Sequence, residues 1–244
     1  MAVERQAFWQ YPDPSIALTA DGERDLYFQC KRVVDLVFTV PLLLLLLPLM
    51  VLIAFAIALD SPGPVLLVQE RVGVRRRSED GRTVWETRNF GCCKFRSMVA
   101  GADHSLHAEY VRAFVEGRVD APDGASAKFK LAHDPRVTRV GRILRRTSLD
   151  ELPQLFNVLK GEMSLVGPRP VPPYEVAQYR GSDTERLMAL PGITGLWQVA
   201  GRGEVTFPEM MRMDREYVRN QTVWLDLKIL IATIPAVLSG RGAK

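Results

Sequence analysis

Thr147-Ser148-Leu149-Asp150-Glu151-Leu152-Pro153, continuing through Gly161-Glu162-Met163-Ser164 to Val166-Gly167-Pro168-Arg169-Pro170, sets two adjacent carboxylates ahead of an arginine suited to phosphate. An apolar run (Leu149, Leu152, Leu155, Phe156, Leu159) starts at the acids and predicts a helix with Asp150 and Glu151 in its first turn. Unpaired backbone N–H groups and the positive dipole end there keep an aspartate ionised. That is the state required of a carboxylate nucleophile or a magnesium ligand. The competing reading is a plain cap, because Ser148 and Glu151 have capping-box spacing. Pro153 argues against it: a helix starting at Asp150 holds Pro153 within the turn where a missing N–H costs nothing.

The rest of the chain sets the context. Its 244 residues are 47% hydrophobic, a length that allows one domain plus a membrane segment. Net charge is +4, and only seven of the 32 basic residues are lysine. Arginine suits bidentate phosphate binding, although a GC-rich genome gives the same bias, so placement has to decide. The three cysteines are Cys30 and the vicinal pair Cys92 and Cys93, which fits a reducing compartment. His104 and His107 lack a third metal ligand.

In order along the chain, residues 1–30 read as a flexible leader and residues 31–60 as a membrane helix. Val33 to Leu59 is almost uninterrupted apolar sequence, longer than the roughly 20 residues a spanning helix needs. Lys31 and Arg32 precede it and Arg71, Arg75, Arg76 and Arg77 follow it. Basic flanks on both sides favour a helix that enters and leaves on the cytoplasmic side, with Pro48 as the membrane break and Pro41 as a second candidate. An ordinary kinked span is the alternative.

Residues 61–244 form the expected catalytic domain. Strands are predicted at Val65 to Gln69 and Val84 to Asn89, and alternation in Lys94-Phe95-Arg96 aims both cations at one ligand. Residues 99–134 read as an insertion. Arg136, Arg139, Arg142, Arg145 and Arg146 make a basic rim on an apolar body. Pro191 to Gly203 is a glycine-punctuated loop whose Trp197, Gln198 and Arg202 suit either a base and a phosphate or a structural turn with an anchoring tryptophan. Phe207 to Val218 reads as helix, and Val223 to Leu238 as an apolar helix too short and interrupted to cross a membrane.

Several ordered motifs resemble the bacterial sugar transferases, the monotopic phosphoglycosyl transferase family: Lys31-Arg32-Val33-Val34-Asp35, Gln69-Glu70-Arg71-Val72-Gly73, Lys94-Phe95-Arg96-Ser97-Met98, Asp134-Pro135-Arg136-Val137-Thr138, Ser148 to Gln154, Gly167-Pro168-Arg169-Pro170 and Pro191-Gly192-Ile193-Thr194-Gly195. The resemblance implies an α/β fold, a compact cytoplasmic domain on an N-terminal re-entrant membrane helix with interfacial amphipathic helices. One departure is Leu47 before Pro48, where members often carry serine.

The resemblance also implies a mechanism and a site. Asp150 attacks the sugar-linked phosphate of a UDP-sugar, UMP leaves, and polyprenol (undecaprenyl) phosphate takes the phosphosugar, which starts exopolysaccharide or capsule assembly. Glu151 is the Mg2+ ligand; Lys94, Arg145 and Arg169 hold phosphates, with Arg202 and Asp226 as weaker assignments. Ser239-Gly240-Arg241-Gly242-Ala243 resembles members that transfer galactose or glucose phosphate. The implied partners are the UDP-sugar, the polyprenol phosphate, membrane lipid at the bacterial inner membrane and a homo-oligomer as an open option, with no nucleic acid. Two other classes stay open: an inactive membrane-anchored scaffold, and a tethered glycosyltransferase that would release UDP.

Overall fold

A computed structural model describes residues 18–20, 25–79, 82–101, 136–200 and 205–238. Most of the 99–134 insertion therefore lies outside the described residues, as do Asp134, Arg202 and most of the leader. The described part mixes helix and sheet. Its main sheet is antiparallel, in the order β1 (Leu18–Ala20), β3 (Arg82–Phe95), β2 (Leu66–Glu79). A second, parallel pair joins β4 (Ser164–Val166) to β5 (Gly192–Thr194).

The two predicted short strands are one hairpin of two 14-residue strands, in register from Leu66 opposite Phe95 to Glu79 opposite Arg82. The charged stretch Glu70 to Arg77 stays extended through its pairing with Val84 to Gly91, and apolar residues of the hairpin pack on each face. Phe90 and Cys92 pack on one side with Leu155 and Val158, while Val72, Val74 and Trp85 pack on the other with Leu187. The leader also ends earlier than expected, since Leu18 to Ala20 pair with Trp85 to Thr83 on the free edge of β3.

Helix α1 runs from Asp25 to Asp60 without interruption, and Pro41 and Pro48 lie inside it. The expected break at Pro48 does not end the helix. One stripe of α1 faces protein: Lys31, Asp35 and Thr39 in its first half, then Met50, Ile53 and Ile57 in its second. The opposite side leaves Val33, Val37, Leu44, Leu45, Leu52 and Phe55 exposed. It is the one described helix long and apolar enough to cross a membrane, and that uncovered surface associates the protein with lipid.

Both ends of α1 are tied to the same domain. Near its start, Lys31 Nζ meets Asp226 Oδ2 at 2.8 Å and donates to the Val166 carbonyl at 2.9 Å. Arg32 donates to the carbonyls of Val158 and Leu159, the orphan acceptors at the end of helix α3 (Gln154–Lys160). Near its finish, Arg96 donates to the carbonyls of Ile57, Ser61 and Pro64, and Asp60 accepts from the Val140 amide at 3.0 Å.

Helix α2 (Arg139–Thr147) carries the predicted basic rim and starts on a Thr138 cap that accepts from the Gly141 amide. Its Leu144 packs with Ile53, Ile57 and Phe95. Two short helices, α4 (Pro173–Val176) and α5 (Leu196–Ala200), lead to α6 (Phe207–Arg219) and α7 (Val223–Leu238). The last matches the expected short apolar helix, with Trp224, Ile231 and Ile234 exposed.

Candidate active site

The acidic pair does not begin a long helix. Ser148 ends α2 in the left-handed region at φ 58°, the only non-glycine residue with positive φ among those described. Leu149–Glu151 is then a single 3-10 turn, and α3 starts only at Gln154, after Pro153. The Ser148 side chain makes no capping bond, so the capping-box reading fails. A serine held in this conformation costs roughly 1 kcal/mol, and such strain persists only where surrounding contacts enforce it. Its effect is a sharp corner that puts Asp150 and Glu151 between two helices, facing the end of the β2–β3 hairpin.

Lys94, one residue before the end of β3, reaches Glu151 Oε1 with Nζ at 3.3 Å. Arg169 donates to the same oxygen from Nη2 at 3.0 Å. Glu151 is 17% exposed, Lys94 14% and Arg169 21%, so this is not a solvated surface pair. With little water to screen them, charges here act more strongly than on the surface. The Glu151 carboxylate raises the pKa of the Arg169 guanidinium against the opposing effect of burial, and the charge of Asp150 adds to it.

The loop bearing Arg169 is rigid for backbone reasons. Pro168 and Pro170 fix φ on either side. Gly167 admits no side chain, because a Cβ there would sit 2.2 Å from the Leu190 carbonyl oxygen. Val171 bridges Val72 of β2, whose amide donates to it at 2.9 Å.

Arg71 belongs beside this group; in the sequence it stands in the Gln69 to Gly73 motif and among the basic residues after the apolar run, with no site role expected of it. In register on the same face of the hairpin stand Lys94 opposite Leu67, Cys92 opposite Gln69, and Phe90 opposite Arg71. Arg71 donates to Gln69 Oε1 at 2.9 Å, and its buried Nε has no hydrogen-bond partner. Burial pulls its pKa down and the neighbouring Arg169 charge pulls further, against a smaller opposing effect of Glu175. Cys92 is fully buried among these cations, and burial raises its pKa, which makes it an inert core thiol.

Other expected site residues have other partners. Arg96 does not join Lys94 on a common ligand; it closes the end of α1. Asp226, assigned to the substrate, is instead enclosed in a buried network with Lys31, the Tyr217 hydroxyl at 2.8 Å and the Tyr27 hydroxyl at 3.0 Å. Trp197 is 5% exposed and packs with Met210 and Met211, so of its two readings the anchoring tryptophan holds. Arg145 lies half-buried in the last turn of α2, five residues before Asp150.

No cluster of three or more metal-ligating side chains occurs among the described residues. Asp150 and Glu151 offer two adjacent carboxylates, oxygen donors of the type a magnesium ion takes.

The family model described as "Bacterial sugar transferase" matches residues 26–240. The chain is 44% identical to the UDP-galactose-lipid carrier transferase of Erwinia amylovora, over 87% of this chain and 41% of that protein. It is 42% identical to the undecaprenyl-phosphate galactose phosphotransferase of Salmonella typhimurium, over 87% and 41%. It is also 39% identical to the exopolysaccharide production protein ExoY of Rhizobium meliloti, over 87% of each. It thus spans about two fifths of the first two relatives and most of the third. With the acidic pair, its arginine and the apolar α1 all inside the matched region, the chain belongs to the bacterial sugar transferase family.

Proposed function

We propose that the protein transfers a hexose 1-phosphate, galactose or glucose, from a UDP-sugar to undecaprenyl phosphate and so starts exopolysaccharide or capsule assembly. The observation that carries this reading is the shared grip of Lys94 and Arg169 on Glu151, with Asp150 beside it on a strained corner. Support for the substrate classes comes from the names of relatives, which include undecaprenyl-phosphate galactose and glucose phosphotransferases.

In this mechanism an Asp150 carboxylate oxygen attacks the phosphorus that bears the sugar. The bond to the bridging oxygen breaks, that oxygen leaves with UMP, and the sugar phosphate stays on Asp150 as an acyl phosphate. A phosphate oxygen of undecaprenyl phosphate then attacks the same phosphorus and frees Asp150. Arg169 and Lys94 turn from Glu151 toward the diphosphate when substrate enters, and Arg71 and Arg145 complete the cationic wall. Glu151, with Asp150 adjacent, would hold magnesium, which neutralises diphosphate charge.

The same reading places the domain on the cytoplasmic face of the inner membrane, with α1 re-entrant. Its support is that Lys31 and Arg32 at one end of α1, and Ile57 and Asp60 at the other, all contact one domain. Basic residues on both flanks agree. The test is nucleotide release by purified protein over a panel of UDP-sugars. UMP from a UDP-hexose is expected; UDP would mark an ordinary glycosyltransferase, and no release with any donor would mark a scaffold.

A further inference from the structure

A basic cavity of about 480 Å³ lies at the opposite end of α3 from the acidic pair. It is lined by the start of α1, the middle of the β2–β3 hairpin and the turn after α3. Arg75, Arg88 and Lys160 stand exposed on its wall, and none of them pairs with a carboxylate among the described residues. The acid opposite Arg75 across the hairpin, Glu86, is engaged by Arg77 at 3.0 Å.

The other charged side chains at the cavity already have partners within the protein. Arg32 is held by carbonyls at the end of α3, and Arg76 pairs with Asp25 and covers the Phe28 ring at 4.6 Å. Of the acids on the wall, Asp35 accepts from Ser164 and the Leu165 amide, and Glu162 accepts from Asn157. Arg75, Arg88 and Lys160 are therefore the cations on its wall whose side chains have neither a hydrogen bond nor an ion pair among the described residues.

Depth identifies what fills it. Lys31 and Arg32 on the cavity wall mark where α1 changes from charged sequence to the apolar run beginning at Val33, and Val33 and Val37 beside them are exposed. Residues at such a transition sit among headgroups. We infer that this cavity binds the phosphodiester headgroup of an anionic phospholipid, with Arg75, Arg88 and Lys160 as its phosphate contacts. The bound lipid clamps the start of α1 to the hairpin and so fixes how the domain sits on the bilayer. This inference rests on membrane association and not on the transfer chemistry.

The test reconstitutes the full chain in nanodiscs of phosphatidylcholine with and without phosphatidylglycerol, extracts it, and counts retained lipid by native mass spectrometry. The wild type retains phosphatidylglycerol in preference. R75Q/R88Q lowers that preference roughly thirtyfold, about fivefold for each guanidinium near a headgroup surface. R212Q/R219Q, which removes equal charge from exposed positions on α6, keeps the preference, as does R75K/R88K. UMP release in detergent is the same in R75Q/R88Q and wild type, so failure here is distinct from failure of the transfer reading. Equal loss in both Gln doubles, or unchanged retention in R75Q/R88Q, overturns the site. Displacement of the lipid by UMP or inorganic phosphate assigns the cavity to soluble phosphate and overturns the lipid.

Discussion

Arg186 donates from Nη2 to the backbone carbonyl of Arg169 at 3.1 Å, so the guanidinium that grips Glu151 is held from behind by a second, fully buried one. Arg186 itself lies between two buried acids, 2.8 Å from Asp214 and 3.5 Å from Glu175. Replacing it with Met strands both carboxylates, and removal of one partner from a buried pair costs roughly 3–5 kcal/mol. Arg186→Met should therefore lower the thermal midpoint strongly and lose activity with it. A variant as stable as wild type would show that the cluster does not support the Arg169 loop.

The same cluster makes stability depend on pH. Burial raises the Asp214 pKa from 3.8 to about 6, against the pull of Arg186 and with help from Glu175. A carboxyl whose folded pKa is raised contributes stability that is fully present below the unfolded value and lost as pH rises through the folded one. Wild type should thus gain roughly 2 kcal/mol relative to Asp214→Asn between pH 7 and pH 4, and the rest of the shift below pH 4. Parallel unfolding curves for the two proteins across that range would mean that Asp214 keeps its ordinary pKa.

Arg71 and Arg169 should separate function from stability. A fork that holds phosphate cannot be replaced by the point charge of lysine, so Arg169→Lys should lose far more activity than an exposed change such as Arg212→Lys. Arg71→Gln removes a half-buried cation that makes no ion pair with a carboxylate among the described residues. It should leave the thermal midpoint unchanged or higher while lowering kcat/KM for the UDP-sugar about tenfold or more. A lower midpoint with normal kinetics would make Arg71 structural.

Topology can be tested through the native Cys30, exposed immediately before Lys31. With α1 re-entrant, a membrane-impermeant thiol reagent should label Cys30 only from the cytoplasmic side, where the catalytic domain also lies. Labelling from the periplasm alone would establish a span. Asp226→Asn should lower the unfolding free energy by roughly 3 kcal/mol in denaturation curves, because it leaves Lys31 buried without its ion-pair partner.

What could be read from sequence follows how local each signal is. The Asp150-Glu151 pair, Lys94 and Arg169 stand in contiguous motifs, and the structure brings Lys94, Glu151 and Arg169 into direct contact. Helix period gave α6 and α7 within a residue, and the apolar run gave the body of α1. The corner at Ser148 was hidden, because Leu149 to Leu159 keeps helical spacing through the 3-10 turn and Pro153 alike. The long hairpin was hidden too: Glu70 to Arg77 reads as solvated, and only the fold shows Phe90 and Cys92 packed on one face of the ribbon and Val72, Val74 and Trp85 on the other. Arg186 and Asp214 are single charges on amphipathic segments, which face water in most proteins, and only the tertiary fold shows them buried together. The partners of Asp226 are equally invisible in the sequence, since Lys31 and Tyr27 come from almost 200 residues away.

The acidic pair gives the decisive prediction, because two neighbouring carboxylates with different partners should fail differently. Glu151 is gripped by two cations, whereas Asp150 occupies the adjacent position on the strained corner. Asp150→Asn should abolish UMP release even without acceptor, since an amide oxygen is a poor nucleophile and cannot carry the phosphosugar. Glu151→Gln should keep weak turnover and need more magnesium, because it loses one charged oxygen and not the nucleophile. Wild type incubated with the donor sugar nucleotide alone should gain the mass of one hexose phosphate, mapped to the peptide containing Asp150, and its kinetics should be ping-pong. If rapid quenching finds no adduct and both substrates must bind before any product leaves, the phosphoryl group passes directly to the lipid and Asp150 has another role.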